Sequence, residues 1–328
     1  MPLQALKEAE RALLIGMGGG GDVVGALAVS DLLEAHETDW VLGGVAWERS
    51  PIDPRPGPRS LNEIRGGRRC GSAAVLTEGG TTSFDGVEFS ESRMARLIGK
   101  QTLLLDINAG PHAVAVGLAE AATELGCDAI VLLDVGGDVL AHGGEPGLAS
   151  PLCDAVVLAA ALFLQRGAAR PESGPDWDGE VIAAVYGPGC DGELTPEEVL
   201  ERITQLQSAG ALLGAWGLTP RACELVEAAA EVVPTEASLQ AARCARGERG
   251  SVRIRGGRRS VELTPLGALT FFFDPAKAAT AGVPLATAVA PAADLDEAHQ
   301  ALVAMGVSTE LELERARARA ELDAGARE

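Results

Sequence analysis

Aromatic residues are scarce in this chain, four Trp, one Tyr and six Phe among 328 residues, so base-stacking platforms and aromatic peptide grooves have little to be built from. Positive charge is short as well. The 27 Lys+Arg stand against 47 Asp+Glu, a formal net charge of −20, and the resulting field repels phosphate backbones and anionic membranes. Nucleic acid and membrane surfaces are therefore set aside as partners. Lysine occurs only at Lys7, Lys100 and Lys277, and the abundance of Arg, Ala and Gly reads as coding bias without functional weight. No CxxC pair exists among Cys70, Cys127, Cys153, Cys190, Cys223 and Cys244, which removes the usual zinc and redox spacings and favours buried free thiols. The longest apolar run, Ala155 to Leu164, is too short to span a bilayer, and no basic segment followed by an apolar run opens the chain. A soluble, cytoplasmic protein is expected. Also missing are G-x-S-x-G, H-E-x-x-H and G-x-x-x-x-G-K-[ST], so serine-hydrolase, zincin and P-loop readings lose their main support.

What is present is enough apolar mass for a real core, 47% hydrophobic against 23% charged residues. Short apolar runs alternate with helical periodicity. Ala12 to Ile15 reads as a strand, Val23 to His36 as a helix, Asp39 to Trp47 as a second strand and Ala73 to Thr77 as a third. Glu91 to Gly99 is a short helix. Thr102 to Ile107 and Ala129 to Asp134 are buried strands, followed by helices from about His112 and Leu152. Glu180 to Tyr186 and Thr270 to Phe273 are two further strands. Helices are predicted over Thr195 to Ala209, Thr219 to Val232, Thr235 to Ala245 and Asp294 to Met305, and a hairpin over Val252 to Leu263. The end from Thr309 onward reads as a solvated or interface helix. The segment Arg49 to Arg69 has no usable periodicity and reads as a lid, a binding loop or an interface arm. Arg166 to Asp178 is a Pro/Gly/Asp-rich break. The alternation predicts an α/β protein with a doubly wound, mostly parallel, Rossmann-like sheet and a more helical C-terminal part. Residues 1–190 form the ligand-binding core and 191–328 an α+β part, with continuation of the same sheet left open.

Two features carry chemistry. Gly16, Gly18 and Gly21 satisfy G-x-G-x-x-G between a strand and a helix, where backbone N–H groups and the helix dipole hold phosphate. Gly18, Gly19, Gly20 and Gly21 are the candidate ligand-binding residues, with a purely structural turn as the other reading. No well-placed ribose-binding acid follows about 20 residues on. Asp22 stands where phosphate would sit, so it either caps the helix or faces a cation. The second feature is a series of acids at strand C-terminal ends, which converge on the crevice of an open α/β sheet. They are Asp106, Asp134, Asp138, Glu145, Asp154, Asp191 and Glu193, with Asn108, Gly136 and Gly137 as neighbouring ligand contacts. Carboxylates gathered in one crevice call for a divalent cation or an arginine, and oxygen ligands favour Mg²⁺, Mn²⁺ or Ca²⁺. Asp22, Asp106, Asp134 and Asp138 are the candidate metal ligands. Asp138, His142 and Glu145 are the candidate catalytic residues, His142 lying in the glycine-rich loop between the two acids. The cluster Arg65, Arg68, Arg69 and its echo at Arg253 to Arg259 would bind anionic groups or form solvated hairpins.

GMGGGGDVVGAL together with LLDVGGDVLAHGGEPGLASPLCDA resembles an uncharacterised archaeal and actinobacterial domain-of-unknown-function family, DUF1152. That pattern runs from a GGGGD loop to a later series D-x-G-x-D, G-x-E, S/T-P, D, and it implies no particular activity. D-V-G-G-D and G-G-E are faintly similar to a motif of D-glutamate cyclase proteins, and DINAG to the D-N-A-G-E motif of metal-dependent damage-control phosphatases. Ile107 interrupts the latter and Pro111 replaces its acid.

The leading expectation is an enzyme that binds a phosphorylated or carboxylated small metabolite at the glycine loop. It would hold Mg²⁺ or Mn²⁺ for hydrolase or lyase chemistry. An NAD(P)- or nucleotide-dependent oxidoreductase or transferase is the second, and a non-catalytic ligand sensor or assembly partner the third. Association into a homo-oligomer is expected from base rates alone.

Overall fold

Strand residues alternate between two apolar clusters, with Leu13 and Ile15 in one and Ala12 and Leu14 in the other, as the two-residue period of a sheet covered on both faces requires. In the computed structural model, which describes residues 4–167 and 177–325, that sheet has nine strands. In chain order they are β1 (Arg11–Gly16), β2 (Asp39–Val45), β3 (Arg68–Arg69), β4 (Ala74–Thr77), β5 (Thr102–Leu105), β6 (Ala129–Val135), β7 (Glu180–Tyr186), β8 (Leu212–Gly217) and β9 (Leu269–Phe273). Across the sheet the order is β8-β9-β7-β6-β1-β2-β5-β4-β3. The five central strands β5-β2-β1-β6-β7 are mutually parallel. Numbered among themselves along the chain they run 3-2-1-4-5, so the strand order reverses between β1 and β6 and leaves a crevice at their C-terminal ends. The flanking strands are antiparallel.

The α/β architecture is therefore as the alternation predicts, and β8 and β9 carry the C-terminal part into the same sheet. Strand β8 is the element the sequence conceals. Its LLGAWG is half-exposed, carries two glycines and has a register shift against β9, so neither a period of two nor a continuous apolar run marks it. The helices Pro275–Ala281 and Pro284–Val289, each opened by a proline, are additional as well. The break predicted at 166–178 lies mostly outside the described residues.

Helix α1 (Asp22–Glu34) covers one face. On the other, α2 (Pro151–Gln165) is apolar all round, as a helix enclosed on every side must be. It packs against Gly110–Leu125, Pro275–Ala281, Pro284–Val289, Leu295–Ala304 and α3 (Glu310–Gly325). The first turns of α3 are not solvated. Glu310, Leu311 and Glu314 are buried, so of the solvated and interface readings of this end the first turns follow the second, packing on α2. Among the described residues no helix is long and apolar enough to cross a membrane, and all six cysteines are buried and free.

The aperiodic segment after β2 is pinned to the body by an internal ion pair. Arg59 donates Nε and Nη2 to the two oxygens of Asp53 at 2.6 Å, both residues being 2% exposed. Arg59→Ala leaves Asp53 buried without its counter-charge, which costs about 3–5 kcal/mol. Urea unfolding should show a correspondingly lower midpoint, and a loss below about 1 kcal/mol would mean that the pair behaves as an exposed one.

Candidate functional site

The crevice between β1 and β6 is where the acids meet. Gly16 pairs with Leu133, so the chain leaves β1 beside Asp134. It then turns through the glycine loop into α1, whose first residue is Asp22. Asp22 turns back to accept a hydrogen bond from the Gly18 amide at 3.0 Å. Asp154, the lone acid of the first turn of α2, faces the same point, where the helix dipole favours negative charge. Carboxylate oxygens of Asp22, Asp134 and Asp154 lie within 4.8 Å of one another. A Cβ on Gly18 would stand 2.6 Å from Asp22 Oδ2 and 3.2 Å from Asp154 Oδ2. A side chain at this position would displace the carboxylates packed against it.

A second trio adjoins the first. Oxygens of Asp138, Asp191 and Glu193 also lie within 4.8 Å of one another, all three residues buried. Asp134, at the end of β6, is a like-charge neighbour of both Asp138 and Asp191, which places the trios side by side. Gly136, with φ +119°, lets the Asp191 carboxyl lie over the turn at the end of β6, since a Cβ there would be 2.2 Å from Asp191 Oδ1. Glu193 accepts from the Ala149 and Ser150 amides, from the Ser150 hydroxyl and from Arg259 at 2.8 Å.

Burial dominates the electrostatics. It pushes Asp22 up to about 7 and, with the Asp22 charge, Asp134 up to about 8. Asp138, Asp154 and Asp191 are driven well above the usual carboxylate range by burial and then by neighbouring acids, Asp154, Asp134 and Glu193 respectively. Asp154 Oδ1 and Asp191 Oδ1 are buried without any hydrogen-bond partner. Orphaned oxygens on crowded carboxylates fit a hard divalent cation, which supplies the missing electrostatic partner.

One cation is built into this crevice. Arg49 donates to the Gly18 carbonyl and to Glu310 Oε1 at 3.4 Å, and its guanidinium lies 4.1 Å from the centre of the Trp47 ring. Glu310 in turn accepts from the Leu152 and Cys153 amides at 3.0 and 2.9 Å, closing the N-terminus of α2. Glu314 accepts from Trp47 Nε1 at 2.9 Å. Behind Asp22, Glu91 is fully buried, with both oxygens unpartnered, and is pushed up by burial and by Glu48.

Of the predicted metal set, the structure places Asp22 and Asp134 in the first trio with Asp154, puts Asp138 in the second, and separates Asp106 from both. Asp106 accepts from the Leu61 amide and from the Asn108 amide and side chain at 2.7–2.9 Å. It therefore caps its own turn with Asn108 and belongs to neither acidic trio. His142 and Glu145 are likewise engaged elsewhere. The His142 ring meets the Gly282 carbonyl at 3.0 Å, while Glu145 accepts from the His142 and Gly143 amides and from Arg202. Burial alone would raise Glu145, but these donors outweigh it and hold its carboxyl below the usual range. The loop glycines are enclosed by protein: a Cβ on Gly19 would meet the Trp47 carbonyl at 2.8 Å, and one on Gly21 the Thr235 side chain at 2.7 Å. Gly20 is the more open position, its nearest neighbour being Arg49 at 3.8 Å, and Gly137 backs onto Val199. Arg49, Glu91 and Glu310 complete the surroundings without any motif to announce them.

One family profile matches the chain, over residues 13–318, and its description is a protein of unknown function, DUF1152. Neither a curated protein nor a solved structure matches.

Proposed function

We propose, for a chain that belongs to the DUF1152 family, a divalent-cation-dependent enzyme that acts on a phosphorylated or carboxylated small metabolite by hydrolase or lyase chemistry. The observation that carries this reading is the trio Asp22, Asp134 and Asp154 at the strand-order reversal, the last two buried and Asp154 Oδ1 lacking any partner. Those three carboxylates would hold Mg²⁺ or Mn²⁺, which when bound polarises a substrate oxygen or activates water. Asp22 is the partly exposed member and marks the side from which substrate enters. Arg49, whose buried Nη1 lacks a hydrogen bond and stands 4.0 Å from Glu314 Oε1, has its side-chain stem beside Gly20 and would help to neutralise the anionic group of the substrate. His142 and Glu145 carry no step here.

The 3-2-1-4-5 order of the parallel strands favours a second reading, a dinucleotide enzyme that uses the glycine loop. Against it, the Gly18 N–H that would meet a phosphate is occupied by Asp22. Thermal melting of the full chain with Mg²⁺, Mn²⁺ or EDTA, crossed with sugar phosphates, nucleotides and dinucleotides, separates the two. Stabilisation that needs both cation and phosphorylated ligand supports the metal enzyme; a ligand at 100 times its Kd adds about 2.7 kcal/mol. Stabilisation by dinucleotide in EDTA moves the protein to the second reading.

A further inference from the structure

The second acidic trio lies on the far side of Asp134 from the glycine loop, over the ends of β6 and β7. The two strand-end turns are tied together there: the Gly136 amide donates to the Tyr186 carbonyl at 2.9 Å, and the Gly189 amide to the Gly136 carbonyl at 2.7 Å. This holds Asp191 over Gly136, within 4.8 Å of an Asp138 oxygen, with its Oδ1 buried and unpartnered and the residue 5% exposed. Glu193 is saturated by four donors and contributes charge in place of a free lone pair. Asp138 and Asp191 remain to face each other, beside Asp134 of the first trio at the end of β6.

We infer that this chain has a second divalent-cation site, formed by Asp138 and Asp191, adjacent to the first and bridged to it through Asp134. The inference rests on the metal reading above and deepens it. A cation held by so few protein carboxylates keeps several waters and completes its shell with substrate oxygens, as Mg²⁺ does on phosphates. The pair of sites would act as a clamp on one phosphoryl group. The ligand class it selects is therefore a phosphate monoester or anhydride, over a simple carboxylate.

The test is Mn²⁺ titration of the full chain, followed by calorimetry and by the electron paramagnetic resonance of free Mn²⁺, with and without inorganic phosphate. Wild type should bind two equivalents, the weaker one tightened by phosphate. Asp191→Asn should keep the tight equivalent and lose the weaker one together with its phosphate dependence. Asp154→Asn should lose the tight one. A single equivalent in wild type with phosphate present, or an unchanged pair in Asp191→Asn, overturns the second site and leaves the first standing. No bound Mn²⁺ overturns both. Circular dichroism of each variant establishes that lost binding is not lost folding.

Discussion

Asp154→Asn should raise the melting temperature of the metal-free protein at pH 8 while removing its stabilisation by Mn²⁺. The two effects share one cause. Asp154 is 2% exposed, one of its oxygens has no partner, and Asp134, Asp22 and Glu310 surround it with like charge, Arg49 only partly offsetting them. In the absence of a cation, folding at pH 8 must bury that charge or hold a proton against the solution. Asparagine keeps the shape and removes the charge, a gain on the order of 1–3 kcal/mol. The cation loses a direct ligand, so affinity should fall beyond the roughly 10–100-fold that losing an outer hydrogen-bond partner of a metal ligand costs. Melting curves in EDTA and in Mn²⁺ read both effects. A less stable variant that still responds fully to Mn²⁺ would make Asp154 a structural partner and remove the basis of the cation reading.

Metal-free stability should also fall as pH rises from about 4 to 8, and the stabilisation produced by Mn²⁺ should grow over the same interval. Burial raises Asp22 from 3.8 to about 7 and Asp134 from 3.8 to about 8. Between those limits the folded protein retains protons that the unfolded chain has released, so stability declines with pH. The contribution of these groups is fully present below the unfolded value and is lost as pH passes through the folded one. Cation binding runs the opposite way, because it requires the deprotonated carboxylates. Asp134→Asn should flatten the decline, so the difference between wild type and variant isolates this group from the rest of an acidic protein. A metal-free melting temperature that does not fall between pH 5 and pH 8, or a variant with an undiminished slope, would mean that the crevice acids titrate normally.

The legible part of the site follows from a local rule: acids at the C-terminal ends of parallel strands face one crevice. Asp134 and Asp138 could be found that way, and Asp22 from the loop preceding its helix, whereas Asp154, in the first turn of α2, is not among the predicted metal ligands. The same rule misplaces Asp106, because a turn two residues long lets Asn108 and the Leu61 amide consume its oxygens before it reaches any neighbour. Glu145 shows the same limit, its partner Arg202 lying 57 positions away on the helix Pro196–Ser208, where no local pattern reveals it. Arg49 and Glu310 leave no local trace. One stands in an aperiodic connection, the other in a helix whose composition reads as solvated, and only the folded chain shows that they meet. The fold was more legible than the site, since strand and helix periods are local while ion-pair partners are not.

The bonds between Trp47 and Glu314 and between Arg49 and Glu310 join positions 267 and 261 residues apart. At ribosomal rates of about 5–20 residues per second, roughly 13–53 s separate the synthesis of the first pair of residues from that of their partners. Throughout that interval the nascent chain already contains Asp22, and later Asp134 and Asp154, with neither Arg49 anchored nor the start of α2 closed by Glu310. Closure of the acidic crevice by Arg49 and Glu310 can therefore be completed only after the last helix is made, and the emerging polypeptide carries the crevice acids before it has the contacts that enclose them.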